Sequence, residues 1–320
     1  MSIIDLFAPF YETIFLKEDS SLEKSITELE KLQKENSDDA NIIRKLYYLK
    51  AGLAGEQEVM YQLKKANIGM YVLRDVFFSY DNLTAQVDFI IVTPWCCYFV
   101  ECKNFSGNIT INEQGDFIRE YYHNNIKKKA GVQSPLRQVE AQRSVYKKIW
   151  YKNQGTIRSN LFERYFDDLH RTLVVVANGK NILNMKFAPK EIKNKVVKAD
   201  GLIRKLEYDK AHSDKKTWSS KKEMAKWAKF LLDNSTPQNM ISSNFLGNIE
   251  SLKEELILYR TKKAKEKNIP AYYIFNNEEL EKLLDLKPNN IEELKKVLPE
   301  VKVTYHGNEI INIIKKGSFK

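Results

Sequence analysis

Three ionisable residues, Asp88, Glu101 and Lys103, interrupt two otherwise apolar runs in the stretch Gln86 to Asn104, QVDFIIVTPWCCYFVECKN. Residues 87–92 and 97–102 are apolar on both faces apart from the two carboxylates. That pattern predicts central strands covered on both sides and joined by a turn at Thr93-Pro94-Trp95-Cys96. In a hairpin centred between Pro94 and Trp95, Asp88 stands opposite Glu101. Directly opposed Cβ atoms lie about 4.5–5.5 Å apart, and like charges at that separation destabilise a sheet unless something positive joins them. A divalent cation answers that need. Lys103 follows Glu101 by two, leaves the same face of the strand, and brings an ammonium beside the same place. The triad also admits an ordinary reading, a buried Glu101–Lys103 or Asp88–Lys103 ion pair inside an unreactive sheet, and by itself it does not choose between the two.

The elements that must hold these groups are read from periodicity. Leu22, Ile26, Leu29 and Leu32, then Ile42, Ile43, Leu46, Tyr47 and Leu49, recur at helical spacing and predict a helical segment over residues 1–50. Gly52-Leu53-Ala54-Gly55-Glu56 is read as opening a further helix, on which Glu56 shares the apolar stripe with Leu53, Met60 and Leu63. A carboxylate on such a stripe is costly unless it is paired or bound to a metal, although a place in a first helical turn would also favour it. Met70 to Phe78 reads as a strand. Residues 108–112 and 117–122 read as a hairpin around Glu113-Gln114-Gly115-Asp116. Lys127-Lys128-Lys129-Ala130-Gly131 is read as a basic loop, and Ser134-Pro135 as the cap and first residue of a helix reaching about Trp150, with Gln138 on its first turn. Leu173 to Ala177 is a short buried strand, Val196-Val197 an edge, and residues 202–206 and 221–232 short helices.

A polar linker spans residues 234–250. From Ser251 the chain reads as all-helical, with Ser251-x-x-Glu254 and Asn290-x-x-Glu293 as capping boxes and His306 at a helix start.

Length and charge agree with a multi-part binding protein. At 320 residues with 43% hydrophobic and 29% charged side chains, the chain can build more than one core. A net charge of +10 favours an anionic partner, nucleic acid or a membrane surface, without specifying any chemistry. Cys96, Cys97 and Cys102 have neither disulfide nor metal-ligand spacing and fit core thiols of a reducing cytoplasm. The N-terminal MSIIDLFAPFYETIFL lacks the basic start of a signal peptide, and the apolar run Phe89 to Val100 is too short to span a bilayer.

Asp88 followed by Glu101-x-Lys103 resembles the active-site motif of the PD-(D/E)xK nuclease superfamily, with Val87 where that motif has proline. The ordered series Gly52-x-x-Gly55-Glu56, Asp88, Glu101-x-Lys103-Asn104 with Gly107 and Ile109, then Ser134-Pro135-Leu136-x-Gln138, resembles the nuclease-related domain, NERD; Ser134 stands where that family usually has Asn. Leu258-Tyr259-Arg260, Ile269-Pro270-Ala271-Tyr272-Tyr273-Ile274-Phe275-Asn276, Lys287-Pro288 and Tyr305-x-Gly307-x-Glu309-Ile310 resemble the HRDC domain. These resemblances imply an α/β protein with a restriction-endonuclease-like α+β core, a mixed central sheet flanked by helices, and a small C-terminal all-α bundle. The expected domains are an N-terminal helical segment over 1–50, a NERD domain over 51–233 with its motifs in 52–150, and an HRDC-like bundle over 251–317.

They also imply a Mg²⁺- or Mn²⁺-dependent phosphodiesterase with Glu56, Asp88, Glu101, Lys103 and Gln138 at its centre. Asp88, Glu101 and the Cys102 backbone carbonyl would hold the ion, Glu56 would serve as an outer-sphere or second-ion ligand, and Gln138 would position Lys103 or the substrate backbone. Nucleic acid, DNA ahead of RNA, is the expected partner, met by Lys127, Lys128 and Lys129 and by the basic row Arg260, Lys262, Lys263, Lys265 and Lys267. A plain solvated face explains that row equally well. Self-association or a partner protein would use the N-terminal helices. The competing functions are a non-catalytic nucleic-acid-binding scaffold and an interaction module of a repair or defence assembly.

Overall fold

The computed structural model describes residues 11–35, 39–81, 83–123, 126–153, 166–236, 246–267 and 269–318. It divides into two compact units, Met1–Thr236 and Pro237–Lys320.

The first unit is built on a six-stranded mixed sheet. Strands β1 (Thr13–Lys17), β2 (Met70–Tyr80), β3 (Leu83–Val92), β4 (Cys97–Lys103), β8 (His170–Val176) and β10 (Val196–Lys198) lie in the order β1-β2-β3-β4-β8-β10. The β2-β3-β4 meander is antiparallel, whereas β1, β8 and β10 join by parallel pairing. Helices cover both faces, so the strands could be apolar on both sides. Helices α3 (Pro135–Asn153) and α6 (Lys221–Asp233) bury Val139, Tyr146, Met224 and Leu231 against Leu73, Phe99 and Val174. Helices α2 (Ala40–Lys64) and α5 (Leu202–Ala211) bury Val59, Leu63, Leu202 and Leu206 against Val72, Ile91 and Val175 on the other face.

A smaller sheet, β7 (Ile126–Val132), β6 (Phe117–His123), β5 (Asn108–Ile111) and β9 (Leu183–Asn184), extends the first core through Ile109, Ile111 and Phe117.

Several expectations change. The N-terminal segment is not purely helical. Thr13–Lys17 is the edge strand of the central sheet, and helix α1 (Ser21–Glu35) packs on α2, so these residues belong to the sheet unit. No helix begins at Gly52, because α2 runs without a break from Ala40 to Lys64. Lys127, Lys128 and Lys129 are strand residues of β7, not a loop. Residues 1–10 and most of the linker lie outside the described residues.

The second unit is a helical bundle of α7 (Leu246–Glu266), α8 (Asn277–Leu286), α9 (Ile291–Lys295) and α10 (Glu300–Ser318) around Leu256, Phe275, Leu283, Leu294 and Ile310. Asn290 caps α9 with its side chain, but Glu293 returns to the Asn289 amide, so the expected box is incomplete there; Asn276 with Glu279 forms a full capping box on α8. Ser251 lies inside α7 and not at a helix start, since that helix already begins at Leu246. His306 is likewise interior, buried in α10 with its Nδ1 2.9 Å from the Tyr259 hydroxyl.

Candidate active site

The β3–β4 turn closes as the residue pattern requires: the Thr93 hydroxyl and amide both donate to the Cys96 carbonyl, at 2.7 and 2.9 Å. The resulting register pairs Val92 with Cys97 and Phe89 with Val100, as a hairpin centred between Pro94 and Trp95 demands. Backbone pairing then stops, one step short of Asp88 and Glu101. Asp88 Oδ2 accepts the Cys102 amide at 2.7 Å and so takes the place of a ladder partner. Inward alternation on β2 and β3 slips by one residue at this level, around Arg74–Asp75 and Asp88–Phe89, which pair across the ladder through Arg74 and Phe89. Asp75 sits in the left-handed region at φ 55°.

Burial raises the Asp88 carboxyl well above its ordinary pKa; the Glu101 charge adds to the effect, the Cys102 amide opposes it, and Glu56 contributes a smaller rise. Asp88 and Glu101 are therefore close enough to repel.

Glu101 is 2% exposed. Its Oε1 meets Lys103 Nζ at 2.6 Å and its Oε2 accepts from Gln142 Nε2 at 3.0 Å. Gln142, on α3, was not among the residues singled out from sequence; it lies one helical turn beyond Gln138 on the same stripe, and that spacing is the signal that could have found it. Gln138 itself is half-buried on the first turn of α3.

Glu56 has a partner that lies far from it in sequence. The buried Arg74 guanidinium donates through Nε to Glu56 Oε2 at 2.9 Å, Ser20 Oγ adds a bond at 3.2 Å, and Arg74 also reaches the Glu18 carbonyl and Glu23. Burial still leaves the Glu56 carboxyl with a raised pKa, Arg74 notwithstanding. Among the described residues no group of three or more His, Cys, Asp or Glu side chains is placed to hold a metal ion, so the geometry does not put Glu56 in one ligand set with Asp88 and Glu101. A donor set of two carboxylates and one backbone carbonyl still fits Mg²⁺, which keeps several waters and uses one or two carboxylates. The like-charge pressure on Asp88 is what such a cation would relieve.

The backbone around the centre is closely packed. A Cβ on Gly55 would lie 2.9 Å from Asn104 Cβ, 3.3 Å from Ala177 Cβ and 3.4 Å from Cys102 Sγ, so α2 approaches β4 closely behind Glu101 and Lys103. Asn104 Nδ2 ties the same place to the Ala51 carbonyl at 2.7 Å. Gly107 adopts φ 97°, where a side chain would strike the Glu120 carbonyl.

The expected nucleic-acid contacts are mostly engaged within the chain. Lys127 and Lys129 both bind Glu120, at 2.9 and 2.7 Å, while Lys128 is exposed. Arg260 donates to Asn277 Oδ1 and the Phe275 carbonyl, Lys263 lies 3.4 Å from Glu266 and 3.5 Å from Glu309, and Lys267 lies over the Tyr305 ring. Lys262 is exposed.

A mixed sheet flanked by helices, with Asp88 on one strand and Glu101 and Lys103 at the end of its neighbour, is the architecture expected of a nuclease-related α/β domain. Residues 51–176 match the family model described as nuclease-related domain, NERD, and residues 250–314 match that of the HRDC domain. The chain thus carries the two domains its motifs suggest. No curated protein and no solved structure matches it. No helix among the described residues is long and apolar enough to cross a membrane.

Proposed function

We propose that the chain is a metal-dependent nuclease that hydrolyses phosphodiester bonds, in DNA ahead of RNA, with the HRDC bundle as an auxiliary nucleic-acid-binding module. The observation that carries this reading is the register that sets Asp88 and Glu101 one step beyond the Phe89–Val100 pair at the end of the β3–β4 ladder, where burial and the Glu101 charge work against ionisation of Asp88. Asp88, Glu101 and the Cys102 carbonyl would hold Mg²⁺ or Mn²⁺. Such an ion polarises a phosphoryl oxygen and acidifies a bound water.

The remaining roles fall to the chain's own side chains. Lys103, 31% exposed and fixed by Glu101, presents an ammonium where a phosphoryl group gains negative charge during attack. Gln142 orients the Glu101 carboxylate, and Gln138, one turn nearer the start of α3, is available to the substrate backbone. Glu56 acts at one remove, since Arg74 and Ser20 hold its Oε2 while its charge is felt at Asp88. Lys128 and Lys262 are exposed cations, one in each of the two predicted basic rows. The N-terminal helices leave Leu32, Ile43, Tyr47 and Tyr48 exposed, a surface suited to a second copy or a partner protein.

A second reading has its own support. Both Glu101 oxygens are engaged, by Lys103 and Gln142, as they would be in a structural ion pair of a non-catalytic scaffold. Incubating the full chain with single- and double-stranded DNA and RNA in Mg²⁺, Mn²⁺ or EDTA separates the two. The nuclease reading expects cleavage that EDTA and Asp88→Asn both abolish; binding of nucleic acid without cleavage in any metal sinks it in favour of the scaffold.

A further inference from the structure

A second polar cleft, of about 640 Å³, lies beside the first half of β8. It exists because β10 pairs only with Val174–Val176, while α3 and α5 stand on the two faces of the sheet at that edge. The cleft is distinct from the carboxylate centre. Arg171 aligns with Tyr98 at the start of β4, five residues before the Val176–Lys103 level, which is roughly 16 Å along the strand.

Its charges are arranged by depth. The cations Arg143, Lys195, Lys205 and Arg171 are 19, 28, 17 and 37% exposed. Three of the four carboxylates that meet them lie nearer the mouth, with Asp167 78%, Glu191 77% and Glu140 38% exposed; Asp209 alone is deep. Ion pairs to exposed carboxylates are worth roughly 0–1 kcal/mol. A ligand with more than one negative charge can therefore displace the rim carboxylates into water at little cost, while Asp209 stays satisfied by Lys205 at 2.7 Å and Tyr98 at 2.8 Å. Two guanidinium groups supply the planar forks that match phosphoryl oxygens. At the rim, Tyr208 is 57% exposed, with its ring stacked on His212 at 4.0 Å, and offers an aromatic face of the kind on which nucleobases stack. The volume falls within the roughly 300–1,000 Å³ of small-molecule sites.

We infer that this cleft binds a nucleoside phosphate, with the phosphoryl group on Arg143, Arg171 and Lys195 and the base against Tyr208. A free nucleotide and the phosphorylated end of a strand present this same chemistry. The inference does not rest on the nuclease reading.

Calorimetric titration of the full chain in EDTA, with AMP, adenosine and inorganic phosphate as probes, tests it. AMP should bind with Kd below about 1 mM and about tenfold more tightly than phosphate, since stacking of one base is worth roughly 1–3 kcal/mol. Tyr208→Ala should erase that advantage and leave phosphate binding intact. Lys190→Glu, a charge reversal at an exposed lining position, and Lys195→Gln should each weaken AMP and phosphate alike by about fivefold or more. Asp88→Asn should change nothing here. A 5′-phosphorylated tetranucleotide that competes with AMP, where its 5′-hydroxyl counterpart does not, assigns the site to a strand end; failure of both to compete assigns it to free nucleotide. The inference is overturned if AMP binds no better than adenosine or phosphate, if the lysine variants bind AMP normally, or if Asp88→Asn removes binding and so places the anion at the carboxylate centre.

Discussion

Charged side chains lead opposite lives in the two units. In the sheet unit Glu56, Arg74 and Glu101 are buried in the flank of a β-sheet, where each must find a partner or a ligand. In the helical bundle no Asp, Glu, Lys or Arg among the described residues is fully buried, and the half-buried ones serve the helices: Glu279 receives the Asn276 amide as part of a capping box and also pairs with Lys302, and Glu293 closes the start of α9. The bundle needs its charges for local order only, so their removal costs little beyond a cap. The sheet unit holds charges that a simpler core would replace with leucine, which is why its centre reads as a site and the bundle's basic row does not.

Arg74→Gln leaves Glu56 buried without its cation and should cost about 3–5 kcal/mol, seen as a large fall in Tm. The double variant Arg74→Met with Glu56→Leu should regain most of that loss, and its residual cleavage then reports whether Glu56 serves the reaction. A single variant as stable as the parent would show that Glu56 does not need Arg74 to remain buried.

Lys103 sharpens the contrast between site and strut. Lys103→Ala should lower turnover about a hundredfold or more, equivalent to about 2.7 kcal/mol of transition-state stabilisation, with the fold and metal binding retained. If the ammonium were structural, the same change would instead depress Tm and leave specific activity unaltered in the folded fraction.

His170 extends the comparison to pH. It is wholly buried among Phe166, Tyr146, Trp150 and Trp227, and burial pulls its pKa down to about 3 from an ordinary 6.5, against the pull of the Phe166 carbonyl. Between those values the unfolded chain binds the proton and the folded chain does not. The stability is therefore complete above about pH 6.5 and lost as pH falls, by about 1.4 kcal/mol per unit, or about 2 kcal/mol at pH 5. Denaturant melts of the parent and His170→Phe at pH 7 and pH 5 should show that loss in the parent only; equal losses would place the acid sensitivity elsewhere.

The bundle should yield the smallest effects. Asn290→Ala should cost about 1 kcal/mol through the lost cap on α9. Lys262→Ala should stay within about 0.5 kcal/mol of the parent while weakening nucleic-acid binding and flattening its salt dependence. Salt dependence identical to the parent's would make that face a merely solvated one.

What could be read from residues alone follows the range of the interactions involved. The β3–β4 register was legible because a four-residue turn and two apolar runs fix it locally, and Phe89 duly pairs with Val100. Glu56 was recognisable as an anomaly on its apolar stripe, but Arg74, reaching it from β2, was not, because nothing local links a helix position to a strand residue eighteen positions away. Parallel pairing hid β1, whose partner β2 lies beyond two intervening helices. The three lysines of β7 read as a loop because lysine is a poor strand former in isolation; cross-strand pairing of Lys129 with Glu120, and the ion pairs of Lys127 and Lys129 to the same carboxylate, supply the compensation. Gln142 was eclipsed by Gln138, since helical spacing names a stripe and not the turn of it that meets the strand.

Two glycines of α2 show how differently the same residue type can be held. At Gly52 an added methyl would meet only Leu22 Cδ1 at an ordinary 3.5 Å, and a helix gains up to about 1 kcal/mol from alanine in place of glycine. At Gly55 the same methyl would enter space already occupied by Asn104, Ala177 and Cys102. Under random mutation the first position is free to drift toward alanine, and doing so would strengthen the helix. The second is a spacer of zero width. It sets the gauge between α2 and β4, so a residue with no functional group fixes how close Glu56 on the helix can stand to Glu101 and Lys103 on the strand.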